Sequence, residues 1–162
     1  MTGTVPHPNA ALIRRFYDAL DRHDAATMIA GYAPDATFSD PVFRTLDAAG
    51  VAAMWRMLCA RGKDLHVVAS GVTADATQGR GHWVATYTFS ATGRHVENHI
   101  DATFAFLDGL IVRHEDRFDL WRWLRQALGP KGALLGWLPL VQRATRAQAA
   151  KALAEWRARN PA

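Results

Sequence analysis

The stretch HWVATYTFSATGRHVENHIDATFAFLDGLIVRHEDRF, residues 82–118, decides the fold. Trp83, Ala85, Tyr87 and Phe89 recur at every second position, the spacing of a strand with one buried face. Thr92-Gly93 then offers a turn. Val96, Asn98, Ile100, Ala102, Phe104 and Phe106 alternate over a second, longer strand. Asp108-Gly109 is a two-residue hairpin signal, because both residues accept positive φ. Leu110, Val112, His114, Asp116 and Phe118 are expected to continue the pattern on a third strand. With a preceding strand over residues 65–72, the reading is an antiparallel meander with one apolar face.

Upstream the period changes to that of a helix. Leu12, Ile13, Phe16 and Leu20 form one stripe behind a cap at Pro8-Asn9. Asp24 can cap a short helix over 25–30. Val51, Met54, Trp55 and Leu58 mark a third helix over 47–60, closed by Gly62. Downstream, residues 120–128 read as a helix broken at Gly129-Pro130, and Pro139 opens a last long one. Helices segregated from an antiparallel sheet make an α+β layer fold. We divide the chain into a domain over residues 1–119 and a C-terminal helical extension over 120–162, packed on or beside the same domain.

The totals set limits. A chain of 162 residues with 49% hydrophobic residues and six Trp can bury a real core. Cys59 is alone, so no internal disulfide forms and a reducing compartment is the default. No window is apolar enough to span a membrane, and the first ten residues lack the basic-then-apolar order of a leader. The expected location is cytoplasmic. From Asp119 onward there are eight Lys/Arg against two Asp/Glu, while the rest holds eleven against thirteen. The basic residues of the tail are scattered, so they read as a solvated helix face; neither nucleic acid nor a membrane is expected as partner.

YAPDATFSDPVF, residues 32–43, carries the chemistry. Asp40 ends a short strand and is locked by Pro41 in extended backbone. It is either a turn cap or a base held over a pocket. His114 and Asp116 share a face at i, i+2, and such a pair can shuttle protons near neutral pH. Tyr87 and Asn98 sit on the same apolar face and need partners or a ligand. Trp55, Trp83 and Phe118, with Phe89, Phe104 and Phe106, serve either as core or as cavity wall. His95, Glu97, His99 and Asp101 line the opposite face. Residues two apart on a strand lie about 6–7 Å apart, so the row cannot close on one ion and no metal site is expected. No phosphate loop, nucleophile elbow or HExxH occurs.

The block YAPDATFSDP followed by F-x-DG-x-I-x-x-H-x-D resembles the NTF2-like superfamily, and most nearly SnoaL-like domains and ketosteroid isomerases, over residues 9–119. The resemblance implies a cone of three helices on a strongly curved sheet around a hydrophobic cavity, and often a homodimer. It implies Asp40 as a proton-transfer base, with His114 and Asp116 as the acid or orienting pair. In ketosteroid isomerases a helical Tyr and a strand Asp bind the enolate oxygen. Here Phe16 holds the first place, with Tyr17 expected to face elsewhere, and Ala102 holds the second. Limonene epoxide hydrolases use an Asp-Arg-Asp set, but Arg113 should face away from Asp40 and Asp116. The expected protein is therefore a cofactor-free binder of a small hydrophobic molecule, with Phe16, Trp55, Trp83, Tyr87, Asn98 and Phe118 as ligand contacts. As an enzyme it would be an isomerase, cyclase or hydratase; the alternative is a non-catalytic ligand-binding or dimerisation module.

Overall fold

The structure, a computed structural model, describes residues 5–161; the expectation of no leader rests in part on the first four residues, which lie outside the described residues. Helices α1 (Pro8–Asp21) and α2 (Ala25–Ala30) precede strands β1 (Tyr32–Asp40) and β2 (Arg44–Leu46). Helix α3 (Ala48–Arg61) leads into β3 (His66–Ala74), β4 (Gln78–Phe89), β5 (Arg94–Leu107) and β6 (Leu110–Arg117). The chain ends in α4 (Leu120–Leu128), α5 (Pro130–Leu135) and α6 (Pro139–Arg159).

Local chemistry explains most boundaries. Asp24 and Asp47 cap α2 and α3, accepting from the backbone N–H of Thr27 and Gly50. The cap of α1 differs from expectation. His7, not Asn9, takes it, through its ring nitrogen. The Asn9 amide instead donates to the carbonyls of Asp75 and Ala76, fixing the helix to the β3–β4 turn. Asp108 and Gly109 both have positive φ, 51° and 78°, as a type I′ hairpin requires.

The six strands form one curved sheet in the order β2-β1-β6-β5-β4-β3. The meander β3 to β6 is antiparallel throughout. Strand β1 joins its edge parallel to β6, with Phe38 opposite His114. The hydrophobic pattern does not reveal this pairing, because a parallel neighbour is brought in by a distant crossover. A bulge corrects the alternation of β6. Ala105 pairs with Arg113 and Phe106 with Ile111, so Val112 is the extra residue. Ile111 therefore points inward instead of Leu110 and Val112, and His114 and Asp116 regain the inner face.

The core lies between α1, α3 and the inner sheet face, and includes Ile13, Phe16, Leu20, Phe38, Met54, Trp55, Phe104 and Ile111. Each large side chain buried this way contributes about 1.5–3 kcal/mol. Gly79 permits the close approach of α1: a Cβ there would lie 2.8 Å from the Ile13 methyl. The C-terminal helices pack on the same body. Helix α4 buries Leu120, Leu124 and Ala127 against β5. Helix α6 lies along α3, burying Leu153 and setting Trp156 under the Arg61 guanidinium.

Candidate active site

Asp40 is the last residue of β1, and the chain turns there because Pro41 cannot continue the ladder. Its Oδ1 accepts from the backbone N–H of Val42 at 2.8 Å and of Phe43 at 2.5 Å. It is thus a turn-closing residue. Oδ2 keeps no protein partner among the described residues, and Asp40 borders a pocket. Burial pushes the carboxyl up to about 6, against the pull of the two backbone N–H groups, and the nearby Asp116 charge adds to the rise. Arg146 of α6 donates to the Pro41 carbonyl at 2.9 Å, so the C-terminal helix fixes the turn that holds Asp40.

A second carboxylate stands on β6. Asp116 is 5% exposed and borders the same pocket. Its Oδ1 lies 2.9 Å from His114 Nε2. His114 is completely buried, and its Nδ1 lies 2.7 Å from the Tyr32 hydroxyl. Tyr32 in turn accepts from the Trp55 indole N–H at 3.1 Å. The direction of this chain follows from its end, since an indole N–H only donates. Burial holds the Tyr32 phenol well above its ordinary pKa, so the hydroxyl keeps its proton and donates to His114 Nδ1. The imidazole proton is then on Nε2, directed at Asp116. Phe16, Phe38, Trp55 and Phe104 surround the ring and exclude water from it.

The far wall comes from β4, β5 and the tail. The Trp123 indole donates to the Tyr87 hydroxyl at 2.6 Å. That bond leaves the phenolic proton, which burial makes harder to remove, free for another acceptor. Asn98 is buried, and its amide makes no side-chain hydrogen bond among the described residues. Asp40, Trp55, Trp83, Tyr87, Asn98, Asp116 and Phe118 thus border one space of about 310 Å³. Val42, Met57 and Phe89 add apolar wall, and Ala149 of α6 closes one side.

One expected contact is not where the sequence reading puts it. Phe16 does not reach this space; it packs edge-on against Tyr32, Trp55 and His114, one layer deeper. His114 does not border it either; its Nε2 faces the Asp116 carboxylate, which does, the arrangement of the expected orienting alternative rather than of an acid. Tyr17 does not face elsewhere but points inward, 2% exposed, with its ring 5.4 Å from that of Trp83. Its hydroxyl and the Trp83 N–H are buried without partners among the described residues. Sequence reasoning missed Tyr32 and Trp123. Tyr32 opens the same motif as Asp40, eight residues earlier, but its partner is set by the parallel β1–β6 pairing. Trp123 lies beyond the recognised motif.

The opposite sheet face is occupied by pairs: His82 with Asp101 at 2.8 Å and His99 with Glu97 at 2.9 Å. Among the described residues no group of three or more His, Cys, Asp or Glu is arranged to hold a metal ion. Arg113 is exposed on that face, away from Asp40 and Asp116. Cys59 is a buried thiol, its pKa pushed up to about 11 by burial. Among the described residues no helix is long and apolar enough to cross a membrane.

Solved structures share this fold at low identity. IdmH of Streptomyces antibioticus, described as a candidate polyketide cyclase, is 24% identical, with a TM-score of 0.63 over 74% of this chain and 98% of its own. An epoxide hydrolase of the limonene type from M. tuberculosis is 18% identical, with a TM-score of 0.60 over 80% and 96%. TerC, crystallised with polyporic acid, is 17% identical, with a TM-score of 0.66 over 76% and 100%. No curated protein matches the sequence. The SnoaL-like domain family matches residues 13–114, the span from α1 to the His114 that backs Asp116. On an NTF2-like fold, with that match covering most of its length, the chain belongs to the SnoaL-like domain family.

Proposed function

We propose that the chain binds a small hydrophobic molecule bearing a carbonyl group and moves a proton on it, with Asp40 as the base. The observation that carries this reading is the state of Asp40. Its carboxyl is pinned through one oxygen, without a protein partner on the other among the described residues, and raised to about 6 beside an apolar wall. A carboxylate of that basicity is still mostly ionised at neutral pH, yet binds a proton about a hundredfold more tightly than an ordinary one.

Asp40 Oδ2 takes the proton from a carbon next to the carbonyl. The charge then develops on the carbonyl oxygen, where the Tyr87 O–H and the Asn98 amide donate. Trp123 fixes the Tyr87 oxygen. Asp116, oriented by His114, is the second carboxyl, able to return or relay the proton. Isomerisation, aldol-type cyclisation and hydration all fit this scheme and need no cofactor. The description of IdmH as a candidate polyketide cyclase and the polyporic acid bound to TerC support a flat, oxygenated substrate. The same reading includes a reducing compartment, as the free Cys59 suggests, and a homodimer formed through the outer sheet face.

The test is proton exchange. Cyclic ketones and β-diketones are incubated with the protein in D₂O, and deuterium uptake at the α-carbon is followed by NMR. Uptake should be accelerated by the wild type and lost in Asp40→Asn. Undiminished uptake in that variant would falsify the assignment of the base.

A further inference from the structure

The turn between α4 and α6 exposes an unusual amount of apolar surface. Leu134, Trp137 and Leu140 are 72%, 61% and 75% exposed, and Trp121 and Leu135 are exposed beside them. The residues form one corner. Trp121 donates its indole N–H to the Ala133 carbonyl, bringing α4 onto α5. Trp137 donates to the Leu134 carbonyl. Gly136 lies against the Trp121 ring, within 3.2 Å of where its Cβ would be. Reading the tail as a solvated helix face accounts for its arginines but not for two indoles and three leucines in water.

The charge around this corner identifies its partner. No Asp or Glu occurs between Asp119 and Glu155. Arg125, whose guanidinium lies over the Trp121 ring, and Lys131 and Arg143 are exposed, and none has an acidic partner within ion-pair distance among the described residues. A second copy meeting this corner by two-fold symmetry would set these cations against one another. An anionic lipid surface meets both features at once: the indoles and leucines enter the headgroup boundary, while the cations meet lipid phosphates. We propose that the α4–α6 corner is a docking surface for an anionic membrane. Helix α4 then links the two surfaces, with Trp121 on the corner and Trp123 at the pocket. A hydrophobic substrate dissolved in the bilayer would thus be taken up beside its binding site.

The experiment uses the full chain and sedimentation with vesicles. One set is pure phosphatidylcholine, and the other contains phosphatidylglycerol as about a third of its lipid. Binding to the anionic set should be stronger by roughly tenfold or more and should fall at high salt. The indole emission should shift to the blue on binding. Trp137→Asp with Leu140→Asp should abolish binding, and Lys131→Glu with Arg143→Glu should remove the preference for anionic lipid. All four side chains are exposed, so the variants should keep the circular dichroism and melting temperature of the wild type; Leu134→Ser is a milder control. No binding to either vesicle overturns the proposal. So does concentration-dependent self-association that the Trp137/Leu140 variant removes, since the corner would then join two copies. Capture by an acidic polypeptide without any vesicle binding overturns it too. None of these outcomes bears on proton exchange by Asp40.

Discussion

The Trp123 indole reaches across from α4 to the Tyr87 hydroxyl on β4, 2.6 Å away, and so makes the tail part of the pocket wall. Removing the indole N–H while keeping an aromatic side chain tests whether this matters. Trp123→Phe should cost at least about 1 kcal/mol of stability, the worth of one hydrogen bond, with the packing lost against Phe89 added to it. It should also free Tyr87 to rotate, weakening substrate binding several-fold. The check is a KM or Kd measurement beside a thermal melt, with Tyr87→Phe as the companion variant.

Asp40 predicts a conflict between stability and activity. Its folded pKa, about 6, lies above the ordinary carboxylate value of 3.8. Between those values the folded state holds more protons than the unfolded one, so stability declines as pH rises from about 4 to 6 and then levels off. The full shift corresponds to about 3 kcal/mol at neutral pH as an upper bound. Asp40→Asn should therefore raise the melting temperature at pH 7.5 and lose that gain below pH 4. The same ionisation should make kcat/KM rise with pH and level off above about 6.

The relay behind Asp116 has a predicted direction. Nitrogen-15 NMR of labelled protein should find the His114 proton on Nε2 and none on Nδ1. Tyr32→Phe removes the donor to Nδ1 and the acceptor for Trp55, leaving two buried polar atoms unpaired. A loss of about 2–4 kcal/mol in denaturant unfolding is expected. A variant as stable as the wild type, with the tautomer unchanged, would remove Tyr32 from the relay.

Arg146 gives a remote test of the tail. Arg146→Ala deletes the bond to the Pro41 carbonyl and leaves α6 otherwise intact. The turn carrying Asp40 should loosen, so kcat should fall more than the melting temperature. Equal losses in proportion to global stability would mean that α6 acts only by packing.

The fold was legible where periodicity is local. The alternation on β4 and β5, the Asp108-Gly109 hairpin and the cap at Asp24 all depend on residues a few positions apart. The placement of Phe16 and His114 depends on something else. Both lie on inward faces, as their spacing says, but an inward face has depth. Period alone does not tell which side chain meets the open space and which lies a layer behind it. Tyr17 shows the same limit. The helix buries a stripe wide enough to take two adjacent aromatic residues, Phe16 and Tyr17. Tyr32 and Trp123 were hidden because their partners, His114 and Tyr87, are 82 and 36 residues away in the chain.

The bulge at Val112 has a consequence for changes in chain length. Because Val112 is supernumerary in the ladder, a protein shortened by that one residue would still present Ile111, His114 and Asp116 on the same side. One residue lost between Arg113 and Asp116 would break that phase, exchanging inward carboxylate for outward cation. Single-residue deletions along β6, scored by melting temperature, should therefore be tolerated at 112 and ruinous three positions later. The strand has one place where its length is negotiable, and it lies just ahead of the residues that form the relay.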